Sequence, residues 1–550
     1  MPLSENKKII LLLCLFAGIM LGNIGKWELK GADEPRYAQI AREMLETGSY
    51  ILPHLNGEAY PDKPPLFFWL IALSAVREGD VTAFGARLPS ALAALGVILL
   101  TYFFGARLFD PATGLLAAGM LFCCEQFFST GTSAHFDIIL VFWTTLALLL
   151  LYTGYTAPGG GKKYVLGAYA AMGGALLTKG PVGLAIPIAS MLLFALARKE
   201  YGRIKDLRIG TGLLIVAGIA AAWLIPACVS GGPEYTYNIL FKQTFGRTVE
   251  SFAHKEPFYF YLRAFPVDFL PWSLFVPAAA LYFWKQRRGN GALLLPLVWF
   301  AFTFIMFSLV SGKRNLYLLP LYPAACLLMA NFFMDIVRDD RAFAWISGSK
   351  LFLAPALLFA AALPVAGIAG IVMLAGDLGP AKNISAGRPL LYAAASFAVW
   401  AGAVLWRRRR ESPWLRRLPY LIIACVAVLY ELWAGVVQPG LVMADPESAF
   451  CDTISRIVRP EDKLFATIPP HFFAYYLHRY PIPQVEDVES IRGLMASPEK
   501  IYCLARAKDY DKLPAEIKNR IRILEKNTIG HKTIYLLVKE AAVSRPSSSS

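Results

Sequence analysis

The feature that most constrains this chain is a series of apolar runs that recurs from residue 9 to about residue 437. A helix needs roughly 20 apolar residues to cross the hydrocarbon core of a bilayer. Because lipid offers no partner to backbone N–H and C=O groups, a spanning run must form a helix that satisfies them internally. With 56% hydrophobic and 17% charged residues in a length of 550, the chain is predicted to be a polytopic α-helical membrane protein.

Thirteen of these runs are long enough to span the membrane. They cover about residues 9–26, 84–105, 112–131, 135–155, 164–178, 181–197, 209–230, 266–284, 291–311, 315–336, 351–376, 389–406 and 418–437. The first run follows Lys7 and Lys8, as the apolar part of a signal peptide would, but it lacks a small-x-small cleavage site. It is therefore interpreted as a retained first span.

One further apolar segment, PPLFFWLIALSAV at residues 64–76, is too short to cross. At 1.5 Å per residue it reaches roughly 20 Å, whereas the hydrocarbon core is roughly 30 Å thick. We predict that this segment is a re-entrant or interfacial helix in an outer loop.

The Lys and Arg clusters determine the orientation of the spans. When the short segment is left out, the clusters all fall on the side of the N-terminus: Lys162–Lys163, Arg198–Arg208, Lys285–Arg288 and Arg407–Arg417. The positive-inside rule makes that side cytoplasmic. The outer side then carries two large loops at 27–83 and 231–265, short loops at 132–134, 179–180, 312–314 and 377–388, and everything after about residue 438. These clusters account for the net charge of +15, so a nucleic-acid partner is not favoured.

After about residue 438 the sequence changes character. β-like segments at 463–467, 500–505 and 532–538 alternate with helix-like segments at 471–478 and 514–524. This alternation predicts a small α/β domain at 439–545 on the outer side. Residues 1–438 then form the transmembrane domain, and residues 546–550 are predicted to be a disordered tail.

The stretch GADEPRYAQIAREMLETG, residues 31–48, opens the first outer loop. Its apolar residues recur at i, i+3, i+4, i+7 and i+8, beginning at Tyr37, with charged residues opposite. This pattern predicts an amphipathic helix on the membrane surface. Asp33 is placed to cap the N-terminus of this helix and Gly48 to end it, so capping alone would explain Asp33.

Several charged residues are predicted at the outer edges of spans, where the positive-inside bias disfavours cations. They are Asp33, Lys63, Asp137, Lys179, Arg247, Lys313 and Arg314. Taken one at a time, these residues can be explained without a function. Lys63 can extend its ammonium group from the lipid to water, and Asp137 can interact favourably with the dipole at a helix N-terminus. Together, several cations beside two carboxylates at one membrane boundary indicate a site for an anion such as phosphate.

Metal and disulfide sites have weaker support. His54, Asp62 and His254 lie in the two large outer loops, so a bound divalent metal such as zinc is a candidate there, although no ligand spacing is diagnostic. The eight cysteines include no Cys-x-x-Cys pair. Cys451 and Cys503 both follow the last span and could pair in an oxidising compartment.

Four short motifs carry a resemblance through their order and spacing. They are DEPRY at 33–37, YPDKP at 60–64, TKG at 178–180, and GK at 312–313 before a tyrosine-rich span. With them the chain resembles the integral-membrane GT-C glycosyltransferases, which use sugars linked to a lipid phosphate. Within that group it is most similar to the lipid A 4-amino-4-deoxy-L-arabinose transferases of Gram-negative bacteria, over essentially its whole length.

The resemblance implies a reaction and its setting. The aminosugar would move from undecaprenyl phosphate to a phosphate of lipid A at the periplasmic face of the inner membrane. This modification of lipopolysaccharide gives resistance to polymyxin and other cationic peptides. The transferase is expected to invert the anomeric carbon, to act as a monomer and to require no cofactor.

The resemblance also assigns roles to residues. Asp33 and Asp137 take the places of two catalytic acids. Lys63 is expected to be catalytic and, with Arg247 and Lys313, to bind the polyprenyl phosphate, whose charge develops in the transition state. The residues expected to line the pocket are Glu34, Arg36, Tyr37, Tyr60, Lys179, Tyr317 and Tyr322.

Other functions stay open at this point. With a hydroxyl acceptor, as in protein O-mannosyltransferases, an acid near the acceptor would act as a general base. A lipid transporter would carry charges near the bilayer midplane and repeated halves, and the sequence has neither pattern. A receptor that only binds lipid is also compatible with the sequence.

Overall fold

The computed structural model describes residues 5–158, 161–241, 255–285, 291–347, 349–356, 358, 413–444, 447–485, 488–529 and 532–540. Its helices are α1 Glu5–Leu21, α2 Asp33–Thr47, α3 Leu66–Ala75, α4 Ala83–Leu108, α5 Pro111–Phe122, α6 Glu125–Gly131, α7 Phe136–Thr156, α8 Lys162–Lys179, α9 Val182–Ala197, α10 Ile209–Tyr237, α11 Phe260–Asp268, α12 Val276–Lys285, α13 Leu294–Leu309, α14 Tyr322–Arg338, α15 Asp340–Ser347, α16 Pro413–Leu432, α17 Gln438–Ala444, α18 Ser448–Ile457, α19 His471–Tyr476, α20 Val488–Ala496, α21 Ala507–Asp511 and α22 Ala515–Lys518. The strands are β1 His54–Leu55, β2 Glu58–Ala59, β3 Lys463–Ala466, β4 Ile501–Arg506, β5 Arg522–Ile529 and β6 Lys532–Lys539.

Within the described ranges, six helices are long and apolar enough to cross a membrane, or up to eight if each of two bent pairs is one span. The bent pairs are α5 with α6, at 71°, and α11 with Trp272–Lys285, at 108°. The runs at 112–131 and 266–284, each expected to be one span, are therefore helices with a sharp bend at a break. The expected spans at 351–376 and 389–406 lie almost entirely outside the described residues. The chain is a multi-pass membrane protein, and thirteen spans stay a prediction.

The short apolar segment at 64–76 forms α3, which has ten residues. Phe67, Phe68 and Ile71 are buried, whereas Leu73 is 70% exposed. A helix of this length rises roughly 15 Å, about half of the hydrocarbon thickness. As the sequence predicted, the segment is a helix too short to span.

Helix α2 was expected to be amphipathic and to lie on the membrane surface; in the structure, protein covers most of its residues. Ten of its residues are buried, including Arg42 and Glu43 on its polar face. The helix packs between α3 and α19. Protein groups replace water on the polar face: Glu43 accepts hydrogen bonds from the N–H groups of Asn56 and Gly57 at 2.7 and 3.0 Å. The helix ends at Gly48, whose φ of 71° lies in the left-handed region that favours glycine.

A buried ion pair joins α2 to α4. Arg87 is fully buried and donates to both carboxylate oxygens of Glu34, at 2.8 and 2.7 Å. Arg87 also donates to three backbone carbonyls of the segment 24–28, at 2.7 to 2.9 Å. Glu34 accepts further bonds from the N–H groups of Lys30 at 3.0 Å and Ala134 at 2.7 Å. This ion pair thus connects the segment that follows α1, the first turn of α2 and the residues just before α7.

The described residues after 446 form a four-stranded sheet with flanking helices, here called the C-terminal unit. The strand order is β3-β4-β6-β5; β3 and β4 are parallel, and the other neighbours are antiparallel. The segment 514–524 was expected to be one helix, but only its first turn is helical and β5 begins at Arg522. Pairing of β5 with β6 outweighs the local helical pattern. Cys451 and Cys503 are both free thiols.

The C-terminal unit is bound by hydrogen bonds to the segment 27–83, which was predicted to be the first outer loop. Arg42 of α2 pairs with Asp80 at 2.6 Å and donates to the backbone carbonyl of Tyr475 at 2.6 Å. The Asn56 amide donates to the carbonyl of Ile482 at 2.9 Å and accepts from its N–H at 2.7 Å. These bonds use fixed backbone groups, so they determine how the unit sits on α2.

We predict that Arg87→Met lowers the free energy of unfolding by about 3–5 kcal/mol, because it leaves the buried Glu34 carboxylate without its partner. A matched control is Arg338→Met, since Arg338 and its partner Asp110 are 48% and 31% exposed. The control should change stability by less than about 1 kcal/mol. Unfolding of the detergent-solubilised protein by heat or denaturant measures both; equal losses would contradict a structural role for the buried pair.

Candidate active site

The first turn of α2 presents Asp33 to two arginines. Arg36 Nη2 donates to Oδ1 of Asp33, and Arg314 Nη2 donates to Oδ2 at 3.1 Å. Ala32 occupies the N-cap position, so capping does not explain Asp33. Burial raises the pKa of Asp33, but the charges of Arg36 and Arg314 lower it more, so that the pKa lies below the ordinary value of a carboxyl. Asp33 is therefore ionised at neutral pH.

The first turn of α7 presents a second carboxylate, Asp137, which is 3% exposed. Lys179, the last residue of α8, donates to Oδ1 of Asp137. The Lys179 Nζ atom also lies 4.1 Å from the ring centre of Tyr317 and 5.4 Å from that of Phe136. The negative faces of the two rings stabilise the ammonium group.

Phe136 lies at the centre of the site. The Nζ atom of Lys63 is 5.2 Å from its ring centre, so Lys63 and Lys179 both contact the same ring. Tyr37 packs edge-on against Phe136 with ring centres 5.5 Å apart, and Arg36 Nη2 donates to the Tyr37 hydroxyl at 3.4 Å. Tyr37 and Phe136 thereby join the surroundings of Asp33 to those of Asp137.

Three of the residues predicted to line the pocket lie outside its centre. Glu34 is held by Arg87 in the buried ion pair, which is a structural position. Tyr322 is fully buried in the aromatic core of the membrane region, with its ring 5.8 Å from that of Phe265. Tyr60 packs at the edge of the site, where α3 begins.

The neighbouring cations Lys313 and Arg314 point in different directions. Lys313 is buried, and its Nζ donates to the carbonyls of Glu256 at 2.9 Å and Val310 at 2.5 Å. Arg314 reaches Asp33 instead. The backbone at Arg314 is extended, with φ −137° and ψ 146°, and successive side chains of an extended chain point to opposite sides. Sequence alone could not select the cation that faces the site.

His471, the first residue of α19, was given no role from the sequence. It contacts the backbone of Ala32, and Asp33 and Arg36 lie close enough for their charges to act on it. Burial lowers the pKa of His471 to about 4, with a further lowering from Arg36 and an opposing effect of Asp33. The imidazole is therefore neutral at neutral pH. Because the contact joins distant parts of the chain, no local pattern could have indicated it.

Two predicted residues, Arg247 and His254, lie outside the described residues. His54 is in β1, and Asp62 precedes Lys63 at the entrance to α3. In the part of the chain that the structure describes, no group of three or more His, Cys, Asp or Glu side chains could hold a metal ion.

The site therefore contains two clusters of charge. The arginine cluster is Asp33 with Arg36 and Arg314, and the lysine cluster is Asp137 with Lys179 and the adjacent Lys63. In each cluster cations outnumber carboxylates, which favours binding of anions. The arrangement is suited to stabilising negative charge that develops on a bound phosphate.

Comparison with known proteins gives related transferases. A family model described as dolichyl-phosphate-mannose-protein mannosyltransferase matches residues 62–225. An undecaprenyl phosphate-alpha-4-amino-4-deoxy-L-arabinose arabinosyl transferase of Yersinia enterocolitica is 29% identical over 440 residues, covering 78% of this chain and 77% of that protein. A transferase of the same description from Sodalis glossinidius is 32% identical over 328 residues, or 58% of each chain.

Solved structures show the same fold. ArnT from Cupriavidus metallidurans bound to undecaprenyl phosphate has a TM-score of 0.73 at 20% identity, covering 97% of this chain and 98% of that chain. The archaeal oligosaccharyltransferase AglB from Archaeoglobus fulgidus has a TM-score of 0.51 at 13% identity, covering 91% and 69%. The resemblance to GT-C membrane glycosyltransferases that the sequence predicted is confirmed.

We predict that His471 makes the stability of the folded protein depend on pH. Its pKa in the folded protein is about 4, below the ordinary value of 6.5, so the unfolded state binds a proton that the folded state excludes. The stability contributed by the neutral ring is therefore present above about pH 6.5 and is lost as the pH falls toward about 4. The charged groups that act on the ring are Arg36, Asp33 and Lys532.

The measurement is thermal unfolding of the full chain between about pH 7 and 4.5, in the range where the ring of the unfolded state titrates. The wild-type protein should lose more stability over this range than His471→Gln. His478→Gln, at an exposed position of the same unit, should behave as the wild type. Identical pH profiles for all three proteins would contradict the prediction.

Proposed function

We propose that this chain is a glycosyltransferase that transfers 4-amino-4-deoxy-L-arabinose from undecaprenyl phosphate to a phosphate group of lipid A. The observation that carries the proposal is its similarity to undecaprenyl phosphate-aminoarabinose transferases over 78% of the chain. The two clusters of cations and carboxylates fit the transfer of a sugar from one phosphate to another. The product is a modified lipopolysaccharide with lower affinity for polymyxin and other cationic peptides.

The lysine cluster is assigned to the donor. Transfer leaves undecaprenyl phosphate behind, and the negative charge on this phosphate grows in the transition state. Cations that stabilise the growing charge more than the ground state accelerate the reaction. Lys63 and Lys179 lie against the same ring of Phe136, and Asp137 holds Lys179 in position. Arg247 keeps its predicted role as a third ligand of this phosphate.

Asp33 is assigned an orienting role. A phosphate acceptor is already anionic near neutral pH, so it needs no general base. The pKa of Asp33 lies below the ordinary value because Arg36 and Arg314 outweigh the effect of burial, which makes the carboxylate a weak proton acceptor. The phosphate then attacks the anomeric carbon directly and inverts its configuration. A product that retains the configuration of the donor would exclude this single displacement.

The proposed setting is the bacterial inner membrane, with the N-terminus in the cytoplasm and both clusters at the periplasmic face. Residues 1–438 form the transmembrane domain and 439–545 a periplasmic α/β domain of a monomeric enzyme. The positive-inside distribution of Lys and Arg supports this orientation. A cysteine introduced at the exposed Glu58 should react with a reagent that cannot cross the membrane, added from outside; protection there would contradict the orientation.

A hydroxyl acceptor is the second candidate, because the matching family model describes protein mannosyltransferases. A hydroxyl must lose its proton during attack, which requires a base. Against the effect of burial, Arg36 and Arg314 lower the pKa of Asp33 below the ordinary value of a carboxyl, which disfavours Asp33 as the base.

We predict that the purified protein moves radiolabelled aminoarabinose from undecaprenyl phosphate to lipid A. Lipid A from which the phosphates have been removed tests whether phosphate is the acceptor, since its sugar hydroxyls remain. Label on intact lipid A alone supports the proposal. Label on the dephosphorylated lipid, or on a peptide rich in serine and threonine, would support the hydroxyl reaction instead, and absence of transfer to any of these would contradict an enzymatic role.

We predict that Lys63→Ala lowers turnover by at least about 100-fold, which corresponds to about 2.7 kcal/mol of transition-state stabilisation. Lys63→Arg should recover part of the activity, because it restores the charge with a different shape. Arg77→Ala is the matched control, since Arg77 is an exposed cation just beyond the other end of α3. Turnover is measured with the donor and lipid A; near-normal transfer by well-folded Lys63→Ala would assign the donor phosphate to other cations.

A further inference from the structure

We propose that Arg36 and Arg314 bind the phosphate of the acceptor, and that His471 of the C-terminal unit holds this acceptor subsite in position. The inference rests on the proposed function, because it divides that reaction's two phosphates between the two clusters. The acceptor phosphate is taken to be the phosphomonoester of a lipid headgroup that approaches from the outer leaflet.

The reaction requires two anion sites. In the transition state the leaving phosphate and the attacking phosphate are both close to the anomeric carbon. Their negative charges repel strongly where water is excluded. Each phosphate therefore needs its own cations. The described site offers them as two groups: Lys63 and Lys179 beside Phe136, and Arg36 and Arg314 beside Asp33. With the lysines on the donor, the arginines are left for the acceptor.

The guanidinium groups have capacity for a ligand. Arg36 uses Nη2 for its bonds to Asp33 and Tyr37. Its Nε atom is buried and makes no hydrogen bond to any of the described residues. Such unsatisfied buried donors are rare in folded proteins. A phosphate oxygen would satisfy this donor, and the planar fork of arginine matches phosphate geometry.

Arg36 and Arg314 are more exposed to solvent than the neighbouring arginines. Arg42 and Arg87 are 3% and 0% exposed, and the bonds described above tie both to protein groups. The side chains of Arg36 and Arg314 are 25% and 33% exposed, so a molecule from outside can reach them. Asp33 neutralises one of the two charges and holds both guanidinium groups on one carboxylate. The three side chains keep a net positive charge for the incoming anion.

The C-terminal unit holds the other side of the acceptor subsite. His471 contacts the backbone of Ala32, directly before Asp33, and the hydroxyl of Tyr476 donates to the carbonyl of Leu29 at 2.7 Å. Helix α19 thus fixes the segment that leads into Asp33. The neutral imidazole adds no charge, so His471 is a positioning residue for the carboxylate and its two arginines.

The first test measures binding to the full chain in nanodiscs, with lipid A, dephosphorylated lipid A and inorganic phosphate as probes. The wild type should bind lipid A about tenfold more tightly than dephosphorylated lipid A, as expected for charged hydrogen bonds. Arg314→Gln should remove this preference, and Arg314→Lys should keep part of it. Arg263→Gln, at an exposed arginine of α11, should keep all of it. Displacement of lipid A by millimolar inorganic phosphate would overturn the assignment to a lipid phosphate.

The second test separates the two substrates kinetically. His471→Ala should raise KM for lipid A with little change in kcat or in KM for the donor, and His471→Gln should restore part of the loss because its amide can still donate to a carbonyl. If Arg314→Gln weakens binding of undecaprenyl phosphate and leaves the lipid A preference intact, the inference is overturned. A wild-type protein that prefers phosphorylated lipid A but transfers no sugar would refute the proposed function and leave the acceptor subsite standing.

Discussion

The ion pair between Glu34 and Arg87 is the interaction on which the rest of this site depends. Glu34 directly follows Asp33, and its carboxylate also accepts from the N–H of Ala134, three residues before Asp137. One side chain therefore sets the distance between the two catalytic candidates, which come from different helices. Arg87 is compensated by two carboxylate bonds and three carbonyl bonds, as a fully buried cation requires.

The second constraint comes from the C-terminal unit. Helix α2 carries acidic and basic residues that would prefer water, yet most of it is buried. Burial is tolerated because Asp80 and the backbone of Tyr475 satisfy Arg42, and the backbone of Asn56 satisfies Glu43. Polar groups without such partners would destabilise the fold. The C-terminal unit is consequently part of the structure that holds the candidate site in place.

Sequence patterns predicted the features that local composition controls. Apolar runs gave the membrane helices, the length of α3 excluded a span, and Gly48 gave the end of α2. Prediction failed where distant residues decide the outcome. The groups that cover the polar face of α2 were not predicted because several of them lie far away in the chain. Residues 522–524 were expected to be helical, but pairing with β6 places them in a strand. Asp33 and Asp137 were predicted as site residues from the sequence, but only the fold could place Arg314 beside Asp33.

The bond between Arg42 and the backbone of Tyr475 joins residues 433 positions apart. Synthesis proceeds from the N-terminus at about 5–20 residues per second, so Arg42 emerges roughly 20–90 seconds before its partner exists. During that time the loop that carries both Asp33 and Lys63 lacks the surface against which α2 is buried. The loop can reach its final form only after the C-terminal unit has been synthesised and has folded against it. Assembly of the candidate site is therefore a late event in biogenesis, and a chain truncated before the C-terminal unit would occupy the membrane without completing this site.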